Sequence, residues 1–104
     1  ACAYHQHMID VHACDDRYVE MARLMGASEA ELAEQGPSAF VTELSRLKRE
    51  CGMDGLKMSD WGITEDELFA IAENAITTND ALFGHDPSPL TVDDVIAILK
   101  ASYK

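Results

Sequence analysis

Two stretches share one layout: Ile63-Thr64-Glu65-Asp66-Glu67-Leu68 and Leu90-Thr91-Val92-Asp93-Asp94-Val95. Each places an apolar residue before a threonine, acidic residues after it, and a second apolar residue beyond them. Thr64 with Glu67 three positions on has the spacing of a reciprocal cap, and Ile63 can staple onto Leu68. At the second stretch Thr91 opens the element, Asp93 and Asp94 suit the positive end of a helix dipole, and Leu90 can staple onto Val95. Both predict a helix beginning at a defined residue. Leu68, Ile71, Ala72, Ala75 and Ile76 would be the buried face of the first. Val92, Val95, Ile96, Leu99 and Tyr103 would face inward on the second. Gly84, Pro87 and Pro89 make the intervening 79–90 a loop or tight turn.

Upstream the same punctuation recurs. Residues 1–12 have a weak helical pattern. Asp15 or Asp16 caps a second helix in which Tyr18, Met21, Ala22 and Met25 share a face, and Gly26 suits a left-handed stop. Ser28 with Glu31 opens a third helix by capping-box spacing, and Gly36 ends it. Pro37 fits the first turn of the next, where Phe40, Leu44, Leu47 and Cys51 recur on one stripe before Gly52. The segment 53–63, with Asp54-Gly55 and Trp61-Gly62, is expected to be irregular, its Trp61 ring plugging the end of a helical core. A ligand-stacking role for Trp61 has no further residue behind it. No alternating apolar pattern persists anywhere. The expectation is an all-α protein, a compact bundle of about five or six helices forming a single domain over 1–104, each cap contributing about 1 kcal/mol.

Composition narrows the partners. Eight basic against 19 acidic residues give a formal net charge of -11. Such a surface repels phosphate, so neither nucleic acid nor anionic membrane is an expected partner. With 47% hydrophobic residues the chain can build a core. Cys2, Cys14 and Cys51 form no CxxC pair and leave one thiol over in any disulfide scheme, which fits a reducing, cytoplasmic setting. The opening Ala1-Cys2-Ala3-Tyr4-His5 has neither the basic nor the apolar region of a signal peptide, and no initiator methionine. It fits a chain cut from a longer parent or one simply trimmed.

Cys2, His5, His7, His12 and Cys14 are the one group with metal-ligand chemistry, since imidazole and thiolate suit zinc, nickel or copper and imidazole suits divalent iron. On a helix, His5 and His12 would share a face while His7 points elsewhere, and no ligand pair at i and i+4 exists. Polar surface, or histidines facing another part of a larger protein, is the favoured reading. The runs Glu65-Asp66-Glu67 and Asp93-Asp94 read as helix-start charges, not acid/base pairs. No GxGxxG or P-loop occurs, and no serine or cysteine has a base at a characteristic spacing. The methionines Met8, Met21, Met25, Met53 and Met58 are expected to fill core. His85, beside Gly84, is the one histidine in a loop where sites often occur, and a turn role is favoured.

The order of these landmarks resembles the iron-dependent (group III) alcohol dehydrogenases, in the C-terminal part of their helical domain only. The resemblance runs through Asp16-Arg17-Tyr18, Ala22-Arg23-Leu24-Met25-Gly26, the helix ending at Gly52, and Leu56. It continues through Gly62-Ile63-Thr64-Glu65-Asp66-Glu67-Leu68, Ala72, Ala75, Asp86-Pro87 (where the family has an Asn-Pro turn), Leu90-Thr91 and Asp94-Val95. It is weaker over 1–12, which is similar to the helix after the family's metal-binding histidine. The resemblance implies a metal-dependent enzyme that moves a hydride between NAD(P) and an alcohol or aldehyde. A Rossmann-like N-terminal domain would hold the cofactor. An aspartate and three histidines upstream of the matched part would hold iron or another divalent metal. None of His5, His7, His12 or His85 stands in the family's ligand context, so no catalytic, cofactor-binding or metal residue carries over. The resemblance does place Leu82, Phe83, Gly84 and His85 near the family's cleft.

The resulting expectation is a C-terminal helical segment of such an enzyme, inactive alone and without cofactor of its own. Its partner would be the missing N-terminal part or a second copy. A free-standing acidic module for protein interaction or dimerisation is the alternative, and a small metal-binding protein built on the N-terminal His/Cys cluster is a third.

Overall fold

The computed structural model describes all residues from Ala1 to Lys104. The protein is all-α, with no strand. The chain divides into two compact units, Ala1–Gly55 and Leu56–Lys104.

The first unit holds α1 (Cys2–Asp10), α2 (Asp15–Leu24), α3 (Glu29–Gln35) and α4 (Ala39–Glu50), with a 3-10 turn at Gly36–Ser38 leading into α4. Met8, Ile9, Tyr18, Ala22, Ala27, Leu32, Ala39 and Phe40 form its core. Three of its helices end in one way. The backbone N–H of Ala13 donates to the Met8 carbonyl (3.0 Å), that of Ala27 to Ala22 (3.0 Å), and that of Met53 to Lys48 (2.9 Å). This six-to-one closure needs a residue in the left-handed region just before the donor. Gly26 (φ 108°) and Gly52 (φ 70°) supply it twice, and His12 (φ 54°) supplies it at the end of α1. The α3 start is the predicted capping box, with Ser28 accepting from the Glu31 N–H at 3.2 Å and the Ser28 N–H donating to Glu31 at 3.1 Å.

The predicted stripe on α4 holds only in its first turns. Phe40 is buried and Leu44 half-buried, but Leu47 and Cys51 are exposed, and the third buried position is Glu43. The packing of α4 against α2 and the 36–38 turn rotates its inward face toward Ala39, Phe40 and Glu43, which periodicity of apolar residues could not anticipate. On α2, likewise, Tyr18 and Ala22 are buried while Met21 and Met25 are only half-buried.

The second unit holds α5 (Leu68–Thr78), α6 (Asp80–Phe83) and α7 (Val92–Ser102), with 3-10 turns at Met58–Trp61 and Glu65–Glu67. Its two long helices pack on each other, burying Leu68, Ala72 and Val95. Ala75, Ile76, Val92, Ile96, Leu99 and Tyr103 are half-buried, so both predicted faces are right in direction, although Ile71 is exposed. The Thr64 N–H donates to Glu67 at 2.8 Å, as the spacing required. At α7 the Thr91 N–H donates to Asp94 (2.9 Å) and the Asp94 N–H donates to the Thr91 hydroxyl (3.2 Å), so Asp94 is a capping partner and not merely a charge near the dipole. The chain end returns to the turn before α5: the Tyr103 hydroxyl donates to the Ile63 carbonyl at 3.1 Å, and the Ser59 N–H to that of Lys104 at 3.2 Å. Within 79–90, predicted as loop, Asp80–Phe83 forms the single helical turn α6, started by N–H groups of Leu82 and Phe83 on the Asn79 carbonyl.

Trp61 corrects the sequence reading. It is 77% exposed and plugs no core. The 3-10 turn Met58–Trp61 ends at Gly62 (φ 77°), and this tight reversal leaves the ring outside the packed helices. The methionines divide as well: Met8 is fully buried, whereas Met53 is exposed.

Candidate functional site

Polar chemistry in the first unit gathers around α1. His5 sits half-buried in an aromatic nest, its Nδ1 3.0 Å from the hydroxyl of buried Tyr18. The imidazole meets Tyr4, Tyr18 and Phe40 edge-on, with ring centroids 5.1, 5.8 and 5.0 Å away. Burial lowers the His5 pKa below 6.5, and the positive N-terminal amine lowers it further. Burial, and then the electrostatic influence of nearby Cys14, raise that of Tyr18 above 10.0. Neutral His5 paired with a neutral phenol is therefore the favoured state, a packing arrangement with one shared proton donor.

His12 does not share a face with His5. The helix stops at Asp10, and the left-handed turn at His12 aims its exposed ring at Asp15, with Nδ1 to Oδ2 at 2.8 Å. The other Asp15 oxygen is buried with no hydrogen-bond partner. His7 is half-buried on α1, and Cys14 stands half-buried at the N-cap of α2. Cys2 lies between α1 and α4, its Sγ 3.7 Å from Ser45 Oγ and 4.0 Å from Lys48 Nζ. Cys2, His5 and His12 thus turn to different neighbours, and no three His, Cys, Asp or Glu side chains converge as a metal site.

A second polar group was not read from the sequence. Glu43 is 5% exposed on α4 and is bound by Arg46, one turn on, whose guanidinium also donates to the Met25 carbonyl at 3.1 Å. The i, i+3 spacing of Glu43 and Arg46 was visible, but the reach to Met25 spans 21 residues and leaves no local trace.

In the second unit, the residues placed near the family's cleft form the end of α6 and the turn after it. Leu82 is 67% exposed, Phe83 half-buried, and Gly84 and His85 exposed. The His85 N–H donates to the Leu82 carbonyl at 3.0 Å, closing the turn. Beside α5, a shallow groove is lined by Ala70, Glu73, Asn74, Thr77 and Val92. Glu65-Asp66-Glu67 and Asp93-Asp94 sit at helix starts, where Glu67 and Asp94 accept backbone N–H groups.

Compared with known families, residues 2–103 match the Fe-containing alcohol dehydrogenase family, C-terminal. The match spans nearly the whole sequence, and the chain belongs to that family. No curated protein and no solved structure matched it. The family's name implies iron. The residues present do not assemble three ligands among themselves, so the chain by its own side chains does not fit an iron site.

Proposed function

We propose that the chain is the C-terminal helical segment of an iron-dependent NAD(P) alcohol dehydrogenase and has no turnover of its own. The family match over residues 2–103 carries this reading. The dispersal of its histidines and cysteines supports the second half: His5 is committed to Tyr18 and His12 to Asp15. In the family the hydride passes between NAD(P) and an alcohol or aldehyde, with cofactor and metal held by residues upstream of those matched here. This segment would contribute one wall of the cleft, around Leu82 to His85, and packing surface for the rest of the enzyme. Its three free cysteines and acidic surface favour a cytoplasmic setting. No helix is long and apolar enough to cross a membrane.

The test is an NAD(P) reduction assay on the purified chain with a panel of alcohols, with and without added ferrous iron. No turnover is expected, and measurable turnover in metal-free buffer would sink the proposal. Metal analysis on the same material adds a second check. A stoichiometric metal bound by a monomer would shift the reading to the His5, His7 and His12 group.

One observation keeps a second reading open. Trp61, Phe69 and Leu82 are 77, 55 and 67% exposed in a unit rich in acidic residues. Such a surface also suits an acidic module that binds a protein partner or its own copy.

A further inference from the structure

The meeting of Cys2, Ser45 and Lys48 is used by none of the preceding chemistry. All three side chains are half-buried where α1 lies against α4. Ser45 and Lys48 are three residues apart on α4, so adjacent turns present a hydroxyl and an amine to one point on α1. That point is a thiol, with Sγ to Oγ 3.7 Å and Sγ to Nζ 4.0 Å. Lys48 is the single lysine in residues 1–55, so the pairing does not follow from a high density of amines.

We propose that Cys2 and Lys48 form a peroxide-responsive covalent pair, in which the oxidised thiol is captured by the amine as a sulfenamide joining α1 to α4. In the first step the Cys2 sulfur attacks the O–O bond of hydrogen peroxide. The sulfur is oxidised by two electrons to the sulfenic acid, and the peroxide is reduced to water. In the second step Lys48 Nζ, in its neutral form, attacks that sulfur. The N–S bond forms, the S–O bond breaks, and the departing hydroxide takes a proton from the amine as water. The sum is thiol plus amine plus peroxide giving the S–N link and two waters, so the protein loses two hydrogens.

Geometry favours capture by Lys48 over competing fates. The amine is already near contact distance, and its flexible four-carbon stem can close the remaining gap. The Ser45 hydroxyl is placed to hold the sulfenic oxygen as it leaves. The link would join residues 46 positions apart in sequence. An added thiol reverses it by attacking sulfur and releasing the amine.

The experiment treats the full chain carrying Cys14→Ser and Cys51→Ser with hydrogen peroxide, then measures intact mass and maps peptides. The expected product is two hydrogens lighter. It yields a linked peptide containing Cys2 and Lys48 and is restored by dithiothreitol. Lys48→Arg keeps the positive charge but removes the nucleophilic amine. In that variant the linked peptide should vanish, and Cys2 should instead be labelled by dimedone, which captures sulfenic acids. If Cys2 goes to the sulfinic acid or stays a thiol with Lys48 free, the proposal is overturned. Persistence of the two-hydrogen loss in Lys48→Arg overturns it equally. Should the double serine variant fail to fold by circular dichroism, peptide fragmentation of the unsubstituted chain decides, since it separates Cys2 from Cys14.

Discussion

The Arg46 guanidinium donates to the Met25 carbonyl at 3.1 Å, tying α4 to the end of α2. The same guanidinium holds the carboxylate of Glu43, which is 5% exposed. Met25 is the last residue before Gly26, so Arg46 satisfies one of the carbonyls that every helix end leaves without an intrahelical donor. It approaches to 3.4 Å of where a Cβ on Gly26 would stand, and φ at Gly26 is 108°.

Removing this arginine strands a buried charge. Arg46→Ala is expected to destabilise the first unit by about 2 kcal/mol, less than a fully buried pair because the arginine is half-exposed. Glu43→Gln, which leaves a neutral acceptor for Arg46, should cost less than half as much. Hydrogen exchange of amides in α2 and α4 would check this, and equal losses for the two variants would contradict the assigned role.

His5 gives the first unit a pH dependence of known sign. Its folded pKa lies below the unfolded value of 6.5, so below that value the unfolded chain binds more protons than the folded one. Stability should therefore fall as the pH drops from about 6.5 through the folded pKa, and this contribution should be flat above that window. Protonation also turns Nδ1 into an obligate donor, so Tyr18 could then only accept. Urea titrations monitored over α1 and α2 from roughly one pH unit above to two below the unperturbed value would show the fall. His5→Gln should flatten the part of it that the carboxylates do not cause. An unchanged slope in that variant would count against His5 as the titrating group.

The end of α1 carries a residue the motif does not favour. His12 occupies the left-handed position at φ 54°, where glycine stands in the equivalent turns after α2 and α4. A side chain there costs about 1 kcal/mol. The exposed His12–Asp15 pair returns only part of that. His12→Gly is therefore expected to raise stability by about 0.5 kcal/mol, and His12→Val to lower it by at least as much, read as shifts in the denaturation midpoint. A loss in His12→Gly would mean that the Asp15 contact outweighs the backbone cost.

These cases show what the sequence could and could not disclose. Helix starts were legible because a cap is a local event: Ser28 with Glu31 and Thr64 with Glu67 contact each other over three residues. The stops at Gly26 and Gly52 were legible because only glycine enters that backbone region at little cost. The stop at His12 was hidden for the same reason, since a histidine does not announce it, and the expected shared face of His5 and His12 failed with it. Burial on α4 depended on how helices pack, so Glu43 took a place that the apolar pattern assigned toward Leu47. The Cys2–Lys48 and His5–Tyr18 meetings join segments 46 and 13 residues apart, and nothing local encodes them. The family, carried by the order of many weak landmarks, was readable from the sequence where any single one was not.

The exposed apolar groups of the second unit make the last prediction. Trp61, Phe69 and Leu82 together leave a large apolar area in water while only Leu68, Ala72 and Val95 are buried there. Each such ring or branched side chain gains about 1.5–3 kcal/mol when fully covered, so a partner surface, whether the rest of a dehydrogenase or a second copy, has ample driving force. The isolated chain is expected to self-associate with rising concentration in light scattering, and Trp61 emission should shift to the blue as its ring leaves water. Phe69→Ser and Leu82→Ser should weaken the association and reduce the shift, leaving the helix content intact because neither residue is buried. A chain that stays monomeric with unshifted Trp61 emission at high concentration would show that its own copy is not the partner.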